Sequence, residues 1–107
     1  MIAFKNARAV LGISAADVYV CPAGTTAIVL LAQVSNTTAL PATATVQWTD
    51  ASASDAVTRL IKDVPILAAD ALGCLDGKLV LEAGDKIQGY GGTASAIELS
   101  VSVLEIS

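Results

Sequence analysis

Apolar and polar residues alternate along most of this chain with a period of two. The clearest stretch is residues 97–103, where Ile, Leu and Val occupy every second position. This spacing predicts a half-exposed antiparallel strand rather than a helix, whose period would be about 3.6. The phase then reverses, because Leu104 and Ile106 are apolar while Glu105 is charged. The reversal indicates either a bulge or a strand end whose second face meets a partner.

Further runs of strand-forming residues, bounded by turn residues, predict additional strands. They are residues 17–21, 26–35, 43–49, 56–64, 78–82 and 86–90. Residues 26–35 are apolar on both faces, which predicts a central strand or one whose outer face is covered by another subunit. In residues 43–49 the alternation places Ala44, Val46 and Trp48 inward. Residues 56–64 are expected to place Lys62 on the same side as Leu60 and Val64, and Pro65 to end the pairing or mark an edge.

The glycine-rich segment DGKLVLEAGDKIQGYGG, residues 76–92, separates short alternating runs. A phosphate-binding loop would need glycines followed by Lys-Ser/Thr and a helix, and neither follows here. The glycines therefore indicate turns, with Asp76-Gly77 as a hairpin-type turn.

Seven or eight short strands with turns every 8–12 residues predict an all-β fold, a single antiparallel β-sandwich of the Greek-key or jelly-roll type. Two similar Ala-Gly turns, in residues 21–25 and 81–85, fit the paired corners of a jelly roll, although chance similarity of turns explains them equally well. Residues 1–16 are interpreted as an N-terminal arm or first edge strand, and residues 17–107 as the sandwich domain.

Charged residues make up 15% of the chain, against about 25% in an ordinary soluble domain. A small domain exposes much of its area, so this shortage predicts that protein covers part of the surface. The alternative is a monomer with an Ala/Thr/Ser surface. The net charge of −4 argues against a nucleic-acid partner, and the longest aliphatic run, residues 27–32, is too short to span a membrane.

The chain offers little catalytic or metal-binding chemistry. It has no histidine, its carboxylates are scattered, and no partner completes a nucleophilic triad. Cys21 and Cys74 stand alone without the spacing of a zinc site. They are expected to be buried reduced thiols, with a Cys21–Cys74 bridge left open. We expect no enzymatic activity and no cofactor.

Residues 50–55 form the one loop with spaced oxygen ligands, carried by Asp50, Asp55 and two serines. Calcium would accept such oxygens, but the loop lacks the glycine and terminal glutamate of a calcium loop, and an ordinary turn explains it as well. Trp48 borders this loop and is either a sugar-stacking residue or a core or interface anchor.

Four segments together, YVCPAGTTAIVLLAQVSN, TATVQWTDAS, DGKLVLEAGDKI and LSVSVLEIS, resemble the small β-sandwich virion proteins of tailed bacteriophages. The resemblance runs from about Tyr19 to the C-terminus. It implies a capsid decoration or cement protein located in the virion and assembled in the host cytoplasm. Its implied partners are copies of itself, most plausibly in a trimer, and the major capsid protein or other virion proteins, with no nucleic acid and no membrane.

Under this interpretation the interface residues are hypotheses. Segment 1–16 carries Lys5 and Arg8 without an acid, so a basic arm with Phe4 would contact an acidic neighbour, unless two bases in sixteen residues are ordinary scatter. Leu104 and Ile106 would lie at a subunit junction. Two alternatives remain: a tail, baseplate or fibre component, and a free-standing module that binds carbohydrate or calcium through Trp48, Asp50 and Asp55.

Overall fold

The computed structural model describes residues 1–107 as nine β-strands and one turn of 3-10 helix at Ala51–Ala53. The strands, in chain order, are β1 (Ile2–Val10), β2 (Ala16–Val20), β3 (Thr26–Asn36), β4 (Ala42–Asp50), β5 (Ala56–Ile66), β6 (Ala71–Gly73), β7 (Leu79–Leu81), β8 (Lys86–Gly91) and β9 (Ile97–Ile106). They form two antiparallel sheets that pack face to face as a sandwich. The predicted all-β class is confirmed.

The strand order shows a jelly roll. In the first sheet, here called sheet A, β1 pairs with β9, β9 with β3, and both β6 and β7 lie on the far side of β3. In sheet B the order is β2-β8-β4-β5. Apart from β4–β5 and β6–β7, every connection crosses from one sheet to the other, which is how two interlocked Greek keys wrap into a jelly roll.

The two similar Ala-Gly turns of the sequence lie side by side. One connects β2 to β3 and the other connects β7 to β8, so both carry the chain between the sheets. The amide of Gly84 donates to the carbonyl of Cys21 at 2.9 Å, and the amide of Cys21 donates to the carbonyl of Asp85 at the same distance. Gly24 and Gly84 both have positive φ, which glycine adopts without steric cost. The two turns therefore form one corner of the sandwich.

The hairpin predicted at Asp76-Gly77 is wrong. β6 and β7 do not pair with each other, since both pair with β3, at residues 33–35 and 27–29 respectively. They are two pieces of one interrupted edge strand: the amide of Cys74 still donates to the carbonyl of Ala32 on β3 at 2.8 Å, and residues 75–78 loop out before β7. A turn signal in the sequence shows that the chain leaves the strand, but it does not show whether the next strand pairs with the previous one.

Register shifts change two of the predicted strand faces. β3 contains an extra residue, Leu30, opposite β9, so Val29 and Ala32 both point inward whereas a strict alternation would separate them. β5 has two shifts against β4, and these leave Lys62 exposed on the outside. The prediction that Lys62 shares a face with Leu60 is therefore wrong, because each bulge reverses the side that later residues face. The central position of β3 is confirmed.

The core fills the space between the sheets with aliphatic side chains. Its largest fully buried members are Leu11, Leu81, Ile87, Ile97 and Leu99. Close approach of the sheets requires Gly89 on β8, because a Cβ there would lie 3.2 Å from the side chains of both Leu11 and Leu99. The structure contains no helix with the length and hydrophobicity that a membrane span needs.

Candidate functional site

The outer face of sheet A carries a continuous apolar row across four strands. Phe4 on β1 lies opposite Leu104 on β9, Leu104 lies opposite Ile28 on β3, and Ile28 lies opposite Val80 on β7. Residues paired in register point to the same face of a sheet. Phe4 is 76% exposed and Val80 is 55% exposed, while Leu104 and Ile28 are half-buried.

Neighbouring rows enlarge this surface. Ile2 pairs with Ile106 on one side of the row, and Leu31 lies opposite Ser102 on the other. All three apolar side chains are exposed. We call the seven residues together the outer apolar surface; they are Ile2, Phe4, Ile28, Leu31, Val80, Leu104 and Ile106.

The outer face of sheet B is mostly polar by contrast, although Val20 and Val57 are exposed on it. Gln47 donates to Gln88 at 2.8 Å and Gln88 donates to Asp17 at 2.8 Å, so a chain of side-chain hydrogen bonds crosses three strands. Lys86 extends this group with an ion pair to Asp17 at 3.5 Å. The two faces of the sandwich thus differ in kind. The outer face of sheet A carries few charged residues, Arg8 and Glu98 among them, which is the property from which a protein-covered surface was predicted.

The dimensions of sheet A suit a protein contact. β1, β9 and β3 are at least nine residues long, and β6 and β7 share the fourth position of the sheet. With about 4.8 Å between strands and about 3.3 Å per residue, this face measures roughly 570 Å² in projection. A standard interface buries about 800 Å² of accessible surface on each partner. The outer apolar surface occupies one end of this face, at the N-terminal end of β1, and the charged residues Arg8 and Glu98 lie toward the other end.

A polar cluster lies on the inner side of this same end of the sandwich. Lys5 on β1 points inward and forms an ion pair with Glu105 at 2.9 Å. Tyr19 on β2 donates its hydroxyl to the other oxygen of Glu105 at 2.6 Å. This hydrogen bond joins the two sheets. The Tyr19 hydroxyl and then Lys5 hold the pKa of Glu105 below its usual value, whereas burial and the adjacent carboxylate raise the pKa of Tyr19.

We expect Glu105 to stabilise the fold above about pH 4.3, the ordinary glutamate pKa, and to lose that contribution as pH falls through its lowered folded-state value. The sign follows from linkage, because below the unfolded pKa the unfolded chain binds the proton more readily than the folded one. Glu105→Gln keeps an acceptor for Tyr19 but removes the charge facing Lys5. Thermal melts from pH 7 to pH 3 should show wild type more stable at pH 7 and the two proteins converging in acid. A difference that stays constant with pH would contradict this role of Glu105.

The structure separates the residues predicted to act as arm contacts. Residues 2–10 form the edge strand β1 of sheet A. Phe4 and Arg8 point to the outer face, while Lys5 points inward to Glu105. Leu104 and Ile106 share the outer face with Phe4, and the pairing of β9 with β1 continues through them without a shift. β9 therefore has no bulge where the sequence reverses phase. Its inward-facing positions are apolar up to Val103, and beyond it the apolar residues Leu104 and Ile106 face outward.

Two of the three predicted ligand-contact residues, Trp48 and Asp50, are engaged within the chain. Trp48 faces inward and packs half-buried against the core. Asp50 accepts hydrogen bonds from the amide and the hydroxyl of Ser52, at 3.1 and 2.6 Å, and caps the 3-10 turn. Asp55 is exposed with a positive φ. No group of three metal-ligating side chains converges anywhere in the structure.

Both cysteines are buried and unpaired. Burial raises the pKa of Cys74 to about 11, and burial likewise raises that of Cys21. The thiolate is the reactive form of cysteine, so neither side chain is disposed to form a link to another molecule.

Sequence reasoning missed several members of this surface. Ile28, Leu31 and Val80 were not singled out, although the two-sided apolar character of residues 26–35 is a signal that points to them. Nothing in the sequence pairs Tyr19 with Glu105, which are 86 residues apart.

The chain matches no protein-family model, and no curated protein is significantly similar to it. Among solved structures it is similar to a protein of Bacillus endospore appendages, which form a family of disulfide-linked pili. The superposition has a TM-score of 0.56 and 11% sequence identity, and it covers 98% of this chain and 84% of the other. At this identity the likeness shows a shared fold.

Proposed function

We propose that this protein is a non-enzymatic structural subunit that assembles with copies of itself, and that the outer apolar surface of sheet A is where it is covered in the assembly. The observation that carries the proposal is the continuous row of Phe4, Leu104, Ile28 and Val80 across four strands of sheet A, whereas the outer face of sheet B is mostly polar. An exposed apolar patch several strands wide is typical of a protein contact. Burial of this patch supplies the free energy of assembly.

In its more specific form, the proposal is a capsid decoration protein of a tailed bacteriophage virion, assembled in the host cytoplasm. The support is the sequence resemblance together with the jelly roll, a fold that recurs in viral capsid proteins. In this setting copies of the chain contact each other and the coat subunits, and apolar area buried at each junction raises the free energy needed to open the shell. A tail or fibre component would use the same surface.

A filament subunit is the second candidate, and the likeness to the endospore appendage protein favours it. The disulfide links of that family are not part of the proposal for this chain, because Cys21 and Cys74 are both buried. Non-covalent contacts would hold the subunits together. Electron microscopy of purified protein distinguishes filaments from closed oligomers.

We expect Leu31→Lys/Val80→Lys to weaken self-association at least about a hundredfold. Burying two such side chains stabilises an interface by about 1.5 kcal/mol or more each, and about 2.7 kcal/mol corresponds to a factor of a hundred. Sedimentation velocity over a concentration series measures the effect. Both side chains are exposed in the single chain, so the substitutions leave its core unchanged.

The matched control is Leu40→Lys/Leu67→Lys, which adds the same two charges at exposed loop positions away from sheet A. This control should associate as wild type does. If both double variants lose association equally, added charge alone explains the loss. If neither does, the outer apolar surface is not the contact.

A further inference from the structure

The free edge of sheet A is a long strand without a proline or a bulge, and its inward-pointing lysine, Lys5, is neutralised by Glu105 within the same chain. β1 pairs with β9 over nine consecutive residues without a register shift. The other edges are short or interrupted: β2 has five residues and a shift, and β6 and β7 have three residues each. β5 is long but carries Pro65, Lys62 and a left-handed Asp63, the features by which edge strands avoid pairing.

The register fixes which backbone groups of β1 are free. Met1 and Ser107 exchange two hydrogen bonds, and the amide of Leu11 donates to the carbonyl of Ile97 at 2.8 Å. In an antiparallel ladder, hydrogen-bonded pairs alternate with non-bonded pairs. Odd-numbered residues of β1 therefore direct their N–H and C=O groups toward β9. The even-numbered residues direct theirs to the open edge; they are Ile2, Phe4, Asn6, Arg8 and Val10.

From this geometry we infer that the β1 strands of two copies pair antiparallel about a two-fold axis at Asn6, which joins two A sheets into one. This inference rests on the proposed function and names the first contact between subunits. In this register each even-numbered residue faces an even-numbered residue of the second copy. Five hydrogen-bonded pairs form between the two strands, and each pair exchanges two hydrogen bonds. All five free N–H groups and all five free C=O groups on each strand are then satisfied.

Side chains favour the same register. On the outer face, Ile2 meets Val10 of the second copy, Asn6 meets its own counterpart, and Phe4 meets Arg8, a favourable pairing of a guanidinium with an aromatic ring. On the inner face Lys5 meets Ala7. No two like charges lie opposite each other.

Neighbouring registers are poorer. Centring the axis on Lys5 places the lysines of the two copies opposite each other, which is unfavourable. It also forms only four hydrogen-bonded pairs instead of five. Centring the axis on Ala7 also gives four hydrogen-bonded pairs, and it leaves Ile2 without a partner on the second strand. A strand that satisfies itself in one register alone has the self-complementarity that an isologous two-fold contact requires.

Asn6→Pro tests the pairing directly. The amide of Asn6 faces the open edge, so proline removes a donor needed by the second copy without removing a hydrogen bond to β9. The matched control is Asn6→Ala, which loses the same side-chain contact to Ser102 but keeps the amide. We expect Asn6→Pro to weaken dimerisation at least about tenfold relative to Asn6→Ala, measured by sedimentation equilibrium. Circular dichroism melts check that both variants are folded.

Hydrogen exchange on the wild-type protein gives a second readout that needs no variant. At concentrations where the dimer forms, the amides of Phe4, Asn6 and Arg8 should become protected, whereas those of Lys5 and Ala7 are protected at every concentration. Equal dimerisation of the two Asn6 variants, or rapid exchange of the even-numbered amides in the assembled protein, would overturn the pairing.

These outcomes separate the pairing from the proposed function. If Asn6→Pro assembles as wild type does while Leu31→Lys/Val80→Lys does not, the edge contact is wrong and the structural role stands. If the edge variant alone abolishes assembly, the pairing stands and the outer apolar surface is not needed for self-association. A wild-type chain that remains monomeric at high concentration contradicts both.

Discussion

Leu99→Ala should lower the free energy of unfolding by about 3 to 4 kcal/mol, within the range of about 2 to 5 kcal/mol for buried leucines. Leu99 is fully buried near the start of β9, the strand between β1 and β3. It packs directly over Gly89, which has no side chain that could move into the space left behind. The cavity therefore stays open, and the loss is a large share of the roughly 5 to 15 kcal/mol that stabilises a domain.

Urea denaturation followed by circular dichroism measures this loss, at protein concentrations low enough that association does not add to stability. Leu40→Ala is the matched control, since Leu40 is 73% exposed in a loop; it should change stability by less than about 0.5 kcal/mol. A loss below about 1 kcal/mol for Leu99→Ala would show that the two sheets close over the site, contrary to the rigid packing described above.

Asn36→Ala should lower the free energy of unfolding by about 3 kcal/mol, because it leaves the buried carbonyl of Ile66 without its donor and removes three further, partly buried hydrogen bonds, at about 1 to 3 kcal/mol for each buried group left unpaired. Asn36 is buried at the end of β3. Its amide nitrogen donates to the carbonyls of Leu40 and Ile66, at 2.8 and 3.0 Å. Its oxygen accepts from the amide and the hydroxyl of Thr38. One side chain thus ties sheet A to the end of β5 in sheet B.

Asn36→Asp separates hydrogen bonding from packing. The carboxylate keeps the contacts to Thr38 but faces the carbonyls of Leu40 and Ile66 without a proton to donate. We expect it to be at least as destabilising as Asn36→Ala at pH 7 and to recover part of the loss as pH falls, since the protonated acid can donate again. Asn6→Ala, at an asparagine with one exposed side-chain hydrogen bond, is the control and should cost less than about 1 kcal/mol. If Asn36→Ala costs no more than this control, the tie between the sheets is not what stabilises them.

The sequence predicted the features that local pattern determines. Alternation placed Val46 and Trp48 on the inner face of β4, and the turn residues around Gly24 and Gly84 marked where β2 and β7 end. Both depend on side-chain period and backbone conformation within a few residues. The class of fold followed from them.

Features that depend on distant partners escaped prediction. Glu105 interrupts an apolar alternation because Tyr19 and Lys5, remote in sequence, surround it on the inner side. The extra residue Leu30 in β3 reverses the phase of the strand, and alternation cannot locate such a shift when both faces are apolar. The sequence showed only that residues 26–35 are apolar on both faces. It could not show that Val80 extends the outer apolar surface, because Val80 joins it through pairing with Ile28, which is distant in sequence.

The proposed function also explains why so few charged residues suffice. The outer face of sheet B is mostly polar, and Gln47 donates a hydrogen bond to Gln88 across two of its strands. Sheet A places its aliphatic residues outward at one end, where water would otherwise meet them. Under the proposed function, a protein partner on that face would replace water and remove the cost of exposing those side chains.

The most direct test is a three-dimensional reconstruction of the assembled form by electron cryomicroscopy, with this chain placed in the density. The account predicts that protein covers Phe4, Ile28 and Val80 on the outer face of sheet A, while the glutamine-lined face of sheet B remains exposed to solvent. An assembly in which sheet A faces solvent and sheet B forms the contacts would contradict it.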